Sequence, residues 1–374
     1  MDGNGIRIRS LDGLRALSVA LVILGHLGGT RGFPIAISGS VLSFGAMLGV
    51  RVFFVISGYL ITRALLAEEE ARGRIRVGAF YFRRIFRIFV PYYAFLAAMA
   101  AAAHLGLIEI APGDLGYSLA YLSDHHLHAE WTHGQWTLGH TWSLAAEEQF
   151  YLLWPLLLVV LGARRALWVA GSALVAAPAW RLAAWHLQAD GSFIGKTFAT
   201  VVDTIATGCL LAGLHGTLGR SARYRRLLES RRFFVIPAAV LATGLIEDRP
   251  RVAFLFGALV VNAGLALCVD RCIRLPNSAA SRLLAAAPLV AVGRASYSIY
   301  LWQQPFLNRY ATGLPGAFPA NLIAVAVVSC AAWFLIERPS LIAREALYRL
   351  PGIKGYARNP RMRSASDPLV ASAK

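Results

Sequence analysis

Long runs of apolar residues, separated by short polar segments, repeat along the whole chain. Most of them approach the length of about 20 residues that an α-helix needs to cross the hydrocarbon layer of a membrane. The pattern therefore predicts an all-α, polytopic membrane protein with about ten transmembrane helices. We place these spans at 11–29, 41–62, 88–107, 144–162, 166–186, 199–215, 233–246, 252–269, 284–306 and 319–336.

Basic residues are concentrated in alternate gaps between the apolar runs, and this distribution predicts the orientation of the chain. If the N-terminus is cytoplasmic, the predicted inner segments hold 29 of the 37 Lys and Arg residues and the outer ends hold six. Positive charge accumulates on the cytoplasmic side of membrane proteins. We therefore predict that both termini lie inside and that the loop 107–143, which has no Lys or Arg, lies outside.

Composition supports a membrane protein and argues against a nucleic-acid partner. The chain is 57% hydrophobic and 15% charged, whereas soluble domains carry about 25% charged residues. Its net charge of +17 is spread over many loops instead of forming one patch. We expect a multi-pass protein of the cell (inner) membrane, with one membrane domain over 1–340 and a basic cytoplasmic tail, largely disordered, over 341–374.

The predicted outer loop is rich in histidine. Histidine clusters can bind metals, but the spacing here is irregular and no pattern of carboxylates accompanies it. We therefore predict no metal site and favour a solvated loop that faces the substrate. The five histidines are His125, His126, His128, His133 and His140.

The first predicted span carries two ionisable residues at membrane depth. Arg15 and His26 are eleven residues apart, which is three helical turns plus roughly 20°, so they share a face and lie about 16 Å apart along the axis. Ionisable side chains inside a membrane are costly and usually functional. The alternative is that Arg15 is a surface anchor and His26 only bonds to a neighbouring helix.

Two further stretches carry candidate binding residues. Ser57 and Gly58 in the second span permit a close approach of backbone. Arg84 and Arg87 share a helix face before Pro91, and two guanidinium groups on one face suit phosphate oxygens. Anchoring at the membrane surface is the alternative explanation for this arginine pair.

The start of the fourth span supplies an acidic candidate. Ser143 is a favourable N-cap, and Glu147 lies in the first turns, where the helix dipole tolerates negative charge. Since this end is predicted to be outside, we expect Glu147 to approach His26. Pairing with the dipole alone is the alternative. A fifth stretch, 296–305, gives the ninth span a polar and aromatic face.

In this order and at these spacings, the five stretches resemble the acyltransferase-3 family of integral membrane O-acyltransferases. The resemblance covers roughly 6–340. Each motif is weak alone, but their combination is specific. The segments 202–208 and 337–339 also resemble family positions. From the resemblance we assign supporting roles to Asp12, Tyr59, Trp142, Ser143, Asp203, Tyr297 and Trp302.

The resemblance implies an enzyme that takes an acyl group, usually acetyl, from coenzyme A in the cytoplasm. The acceptor would be a hydroxyl of a sugar, a glycolipid or exopolysaccharide, or a glycosylated natural product. Acyl-CoA would be a co-substrate, and we expect no bound cofactor. A transporter or flippase of lipid-linked sugars is the alternative, because it also needs polar groups near the membrane midplane; a non-catalytic scaffold is a third reading.

The resemblance also implies roles for individual residues. His26, Arg15 and Glu147 would form the catalytic set, and Arg84, Arg87, Ser57 and Gly58 would bind the donor. These residues fit the chemistry, because acyl transfer to an alcohol needs a base and a stabiliser of the oxyanion.

Within this set His26 is the natural base, Glu147 would orient it, and Arg15 would bind donor phosphate or stabilise charge. Many family members have histidine where this chain has Gln303, so an acid–base role cannot be transferred to that position. We prefer direct transfer over an acyl-histidine because it needs one step fewer.

Overall fold

A computed structural model describes residues 8–35, 37–126, 133–189, 194–246, 249–310 and 315–348. The described chain is helical, and no β-strand occurs in these ranges. The α-helices are α1 Arg9–Leu27, α2 Gly39–Arg72, α3 Val77–Arg84, α4 Val90–His104, α5 Asp114–Leu119, α6 His133–Leu138, α7 Trp142–His186, α8 Phe198–Gly213, α9 His215–Arg220, α10 Ala222–Glu229, α11 Val235–Ala242, α12 Pro250–Val252, α13 Ala258–Arg274, α14 Ala279–Leu284, α15 Ala287–Trp302, α16 Ala320–Ala332 and α17 Arg338–Leu347.

Short 3₁₀ and π-helical turns connect several of these helices. The π-helical turns join α3 to α4, α12 to α13 and α16 to α17, so each pair forms one longer helical segment. They span Ile85–Phe89, Ala253–Gly257 and Trp333–Glu337. The 3₁₀ turns span Ser123–His125, Gly139–Thr141, Arg231–Phe234 and Thr243–Ile246.

Within the described residues, six helical segments are long and apolar enough to cross a membrane. They are Arg9–Leu27, Gly39–Arg72, Val77–His104, Trp136–His186, Pro250–Arg274 and Ala320–Leu347. Helix is present at all ten predicted spans. The three predicted spans outside these six segments, 199–215, 233–246 and 284–306, are formed by shorter helices. An all-helical, multi-pass membrane architecture is thus confirmed, while the count of ten and the orientation stay predictions.

The longest helix, α7, contains two predicted spans. Gly162 interrupts it with φ 75° and ψ 159°, a backbone conformation that glycine adopts without a Cβ clash. Arg164 and Arg165 follow directly and are exposed. The interruption therefore falls where the sequence predicts a short basic loop between the fourth and fifth spans.

Helix α1 lies inside the bundle, where it packs against α2, α14 and α15, while α8 packs against α2 and α7. Glycines allow the tightest of these contacts. A Cβ at Gly293 of α15 would overlap the backbone carbonyl of Asp12, and a Cβ at Gly49 of α2 would meet the carbonyl of Ser18. Neighbouring helices therefore fix the depth of both Arg15 and His26.

The last described helix continues beyond the predicted start of the tail at residue 341. Helix α17 continues to Leu347, so the first seven residues of the predicted tail, 341–347, are helical. The segment is ordered by packing, since Leu341 and Arg344 are each only 7% exposed. Residues 349–374 lie outside the described residues, and the prediction for them stands untested.

The predicted orientation leads to a labelling experiment. Leu107 and Arg74 are both exposed and lie in predicted outer and inner loops. In a variant without the four native cysteines, we expect Leu107→Cys to react with an impermeant thiol reagent in intact cells. Arg74→Cys should react only after permeabilisation. The opposite labelling pattern would invert the predicted topology.

Candidate active site

A cavity of about 1470 Å³ lies among the arginine-rich ends of the helices. Ten arginines line it against four carboxylates, so its interior is strongly positive and suits a polyanionic ligand. The arginines are Arg9, Arg15, Arg63, Arg83, Arg84, Arg87, Arg225, Arg274, Arg294 and Arg344, and the acidic residues are Asp12, Glu147, Glu229 and Glu345.

One wall of the cavity joins α2, α3 and α7 through Glu147. The Ser57 hydroxyl donates to Glu147 Oε1 at 2.7 Å, and Tyr151 OH donates to Ser57 Oγ at 3.1 Å. The Arg84 guanidinium lies 4.4 Å from the centroid of the Tyr151 ring. Arg84 also interacts electrostatically with Glu147, so the carboxylate and the cation stabilise each other.

The adjoining wall carries Arg15 and Arg87. The charged groups that interact with Arg15 are Arg87, Asp12, Glu337 and Glu147. Glu337 is fully buried and accepts a hydrogen bond from the Ser298 hydroxyl at 2.6 Å. Because two neighbouring guanidinium groups repel each other, these carboxylates stabilise the pair.

Widened helical turns position Arg87 and Glu337. Arg87 lies in the turn Ile85–Phe89, just before Pro91, whose ring would clash with the carbonyl four residues earlier in a regular helix. Ser340 Oγ donates to the carbonyl of Phe86 at 2.6 Å, and Tyr297 OH donates to the carbonyl of Ile88 at 3.1 Å. The turn is thereby held by two other helices, an arrangement common at functional sites.

His26 lies outside the residues that line this cavity. Its Nδ1 is 2.9 Å from Gln303 Oε1, and its ring contacts the Trp136 ring edge-on at 5.9 Å between centroids. Because an amide oxygen only accepts hydrogen bonds, Nδ1 carries the proton and Nε2 keeps a lone pair. A neutral amide therefore fixes the tautomer that a general base needs.

The predicted pairing of Glu147 with His26 is wrong. Glu147 lies five residues into α7, about 7.5 Å along the axis from Trp142, and this depth brings it to Ser57 and Arg84 instead. Gln303 occupies the orienting position beside His26.

On the side of α15, the cavity ends at Ser143 and Tyr300, which both line it. The two hydroxyl oxygens are 2.6 Å apart, and Tyr300 OH also donates to the carbonyl of His140 at 3.1 Å. These bonds connect α15 to the start of α7.

Of the two residues of α2 predicted to bind the donor, Ser57 lines the cavity and Gly58 is not among the lining residues. Gly58 faces Gly208 across the interface of α2 and α8. A Cβ on Gly58 would overlap the carbonyl of Ile205, and a Cβ on Gly208 would overlap that of Val55. Gly58 therefore allows close packing of α2 on α8, and its predicted donor contact stays a prediction.

Among the supporting residues, four lie at the cavity and two are packing residues. Trp142 is buried edge-to-face against Phe54, with 6.2 Å between ring centroids, and Trp302 packs in the same way on Phe95 at 5.3 Å. The four at the cavity are Asp12, Tyr59, Ser143 and Tyr297.

Asp203 belongs to a separate buried network. Its two carboxylate oxygens accept from Arg181 at 2.9 and 3.1 Å, and Asn262 Nδ2 donates to it at 3.0 Å. Thr204 Oγ1 donates in turn to Asn262 Oδ1 at 2.9 Å. The network joins α7, α8 and α13, so the structure gives Asp203 a role in holding helices together and places it away from the cavity lining.

His140 is the residue that the sequence analysis missed. It was expected in a solvated loop, yet it is only 4% exposed, and its charge would interact with that of His26. The sequence offered one signal that His140 is not a loop residue, namely its position directly before Thr141 and Trp142, where α7 begins. His125 is exposed, whereas His128 and the side chain of His133 lie outside the described residues.

No group of three or more potential metal-ligating side chains comes together in the part of the chain that the structure describes.

Comparison with known proteins identifies similar enzymes. Residues 8–338 match the family model of an acyltransferase domain. The chain is 28% identical over 93% of its length to the peptidoglycan O-acetyltransferase OatA of Listeria monocytogenes. It is 28% identical over 95% of its length to the O-acetyltransferase OatA of Staphylococcus aureus, and 30% identical over 80% to the putative peptidoglycan O-acetyltransferase YrhL of Bacillus subtilis.

The chain covers only part of each of these relatives, namely 57%, 59% and 48% of their lengths. No solved structure matches it.

The Asp203 network predicts a stability defect without a catalytic defect. Asp203→Ala leaves Arg181 buried without its carboxylate, and breaking a buried ion pair costs about 3–5 kcal/mol. We expect a lower unfolding midpoint of the purified protein but unchanged activity per folded molecule. The exposed Glu70→Ala is the matched control, and loss of activity at normal stability would contradict this assignment.

Proposed function

Since the chain belongs to the acyltransferase-3 family, we propose that it is a membrane O-acyltransferase that moves an acyl group, expected to be acetyl, from coenzyme A to a carbohydrate hydroxyl. The relatives named as peptidoglycan O-acetyltransferases favour a peptidoglycan-type acceptor. The observation that carries the proposal is an arginine-lined cavity beside the helix that bears His26. Family membership does not favour a transporter of lipid-linked sugars.

The cavity fits the donor in charge and in size. Coenzyme A carries a pyrophosphate and a further phosphate, and guanidinium groups bind such oxygens in pairs. About 1470 Å³ exceeds the roughly 300–1,000 Å³ of a typical small-molecule site, which leaves room for a long nucleotide thioester. We assign the phosphates to Arg84 and Arg87, with Arg15 as a third cation on the same wall.

His26 supplies the base for transfer. Its Nε2 removes the proton from the acceptor hydroxyl as the oxygen attacks the thioester carbonyl carbon. The tetrahedral intermediate then collapses, the carbon–sulfur bond breaks, and the proton passes to the sulfur to give free coenzyme A. No covalent enzyme intermediate is needed, and Gln303 keeps Nε2 unprotonated by holding the proton on Nδ1.

The two halves of α1 would then serve opposite sides of the membrane. Arg15 lies at the end predicted to be cytoplasmic, where acyl-CoA is available. His26 lies about 16 Å further along the axis, towards the side predicted to face the outside, where a cell-wall glycan is available. We propose the cell membrane as the location for this reason.

The proposal is tested with purified protein in lipid nanodiscs, radiolabelled acetyl-CoA and muropeptides. We expect base-labile label on the glycan and slow hydrolysis of acetyl-CoA without acceptor. If neither occurs while the same protein in vesicles moves a lipid-linked sugar, the enzyme assignment is wrong and the transporter alternative is right.

His26→Gln separates catalysis from packing. Glutamine keeps similar size and hydrogen bonding but cannot take a proton at neutral pH. Loss of a general base typically costs about 10²–10⁴-fold in rate. We expect that loss in transfer per folded molecule, with a normal unfolding midpoint. The exposed His104→Gln is the control, and near-normal transfer by His26→Gln would remove the catalytic assignment.

The arginine pair is tested by donor binding. Each charge-assisted phosphate contact contributes about 1.5–3 kcal/mol, so Arg84→Ala/Arg87→Ala should weaken acetyl-CoA binding by at least about ten-fold. Isothermal calorimetry on the purified protein measures the dissociation constant. The control is Arg164→Ala/Arg165→Ala, an exposed pair away from the cavity. Equal affinity of both double variants would make Arg84 and Arg87 surface anchors.

A further inference from the structure

Two imidazoles bond to residues at the end of α15, and these hydrogen bonds define their tautomers. His140 Nε2 is 3.0 Å from the carbonyl oxygen of Leu301, and His26 Nδ1 is 2.9 Å from Gln303 Oε1. Both oxygens only accept hydrogen bonds, so both of these ring nitrogens carry the proton. Each ring therefore keeps one nitrogen with a lone pair, which is Nδ1 in His140 and Nε2 in His26.

The lone-pair nitrogen of His140 is buried and unused by the fold. Among the described residues, no hydrogen-bond donor reaches Nδ1. The ring is 4% exposed and packs between Phe95 and Tyr300, at 5.7 and 5.6 Å between ring centroids. Buried polar atoms in proteins are nearly always paired, and an exception calls for a ligand, a water or a catalytic role.

The two histidines lie outside the lining of the arginine-lined cavity. Tyr300 lines that cavity and neither histidine does, yet their charges are close enough to interact. His26 and Trp136 both retain some exposed surface although neither lines the cavity. His26 therefore keeps some accessible surface that does not belong to the lining of the donor cavity.

We infer that His140 binds the acceptor, with Nδ1 accepting a hydrogen bond from a second hydroxyl of the sugar whose reacting hydroxyl lies at His26 Nε2. The inference rests on the proposed function. The lone pairs on His140 Nδ1 and His26 Nε2 favour a ligand with two hydrogen-bond donors, such as a sugar. They disfavour carboxylates and phosphates, which only accept hydrogen bonds. The Trp136 ring adds an aromatic group beside His26, and the Arg309 guanidinium lies over one of its faces at 4.5 Å from the centroid.

His140 makes and breaks no covalent bond in this role. It orients the acceptor so that the reacting hydroxyl meets His26, and its own proton stays on Nε2 with the Leu301 carbonyl. Loss of Nδ1 as an acceptor should therefore weaken acceptor binding while leaving donor binding and acceptor-independent hydrolysis intact.

Two substitutions distinguish this role from a structural one. Glutamine can place an N–H near the position of Nε2 and keep the bond to Leu301, but it has no acceptor at the position of Nδ1. Asparagine can place its amide oxygen near Nδ1 and loses the bond to Leu301. If His140 is only structural, His140→Gln should have a normal muropeptide KM and His140→Asn a raised one. If His140 binds the acceptor, His140→Gln should have the higher KM of the two.

The experiment measures transfer of labelled acetyl to muropeptides, the dissociation constant of acetyl-CoA, and the rise in unfolding midpoint that muropeptides cause. We expect His140→Gln to raise the muropeptide KM at least about ten-fold and to abolish the rise in midpoint. Its acetyl-CoA affinity and hydrolysis without acceptor should match wild type. His140→Asn should recover part of the KM, and His104→Gln should leave all values unchanged.

The outcomes separate this inference from the proposed function. If the wild-type protein transfers acetyl to muropeptides and His140→Gln has the same KM, only the role of His140 is overturned. If the wild-type protein neither binds nor acetylates muropeptides, the proposed acceptor fails and this inference fails with it. If His140→Gln does not fold, the midpoint shift of His140→Asn decides, and no shift in that variant overturns the role.

Discussion

The cost of placing ionisable side chains at membrane depth governs how this bundle is built. A charge there needs a partner, a cavity that holds water or ligand, or both. Arg15 and Arg87 have Glu147 and Glu337 nearby as well as the cavity. His26 is hydrogen-bonded to a neutral amide instead, so its direct partner carries no charge.

Helix α1 connects the two parts of the site because it is enclosed by its neighbours. Close contacts at Gly49 and Gly293 hold it against α2 and α15. The same helix α15 provides Gln303 for His26 and Leu301 for His140. A shift of α1 relative to α15 would move His26 away from Gln303, which fixes its tautomer. The close contact of Gly293 with Asp12 opposes such a shift.

The donor and acceptor sides are chemically different, and that difference suits their proposed ligands. The cavity is lined mostly by arginines, as a phosphate-bearing donor requires. The groups in contact with His26 are an amide and an indole, with the cations Arg309 and Lys196 nearby, and the imidazole and amide match the hydroxyls of a sugar. Tyr300 and Ser143 stand between these two regions, so in direct transfer the thioester and the acceptor hydroxyl would meet beside them.

The sequence by itself determined the helical, multi-pass architecture, because apolar length and charge distribution are local properties of the chain. It also determined the family and several of the residues at the cavity, among them Arg15, Arg84 and Arg87. Only the tertiary structure decided that Glu147 pairs with Ser57, that Gly58 packs on Gly208, and that Gln303 and His140 join His26. Those contacts depend on the depth and rotation of separate helices, and no local pattern specifies either.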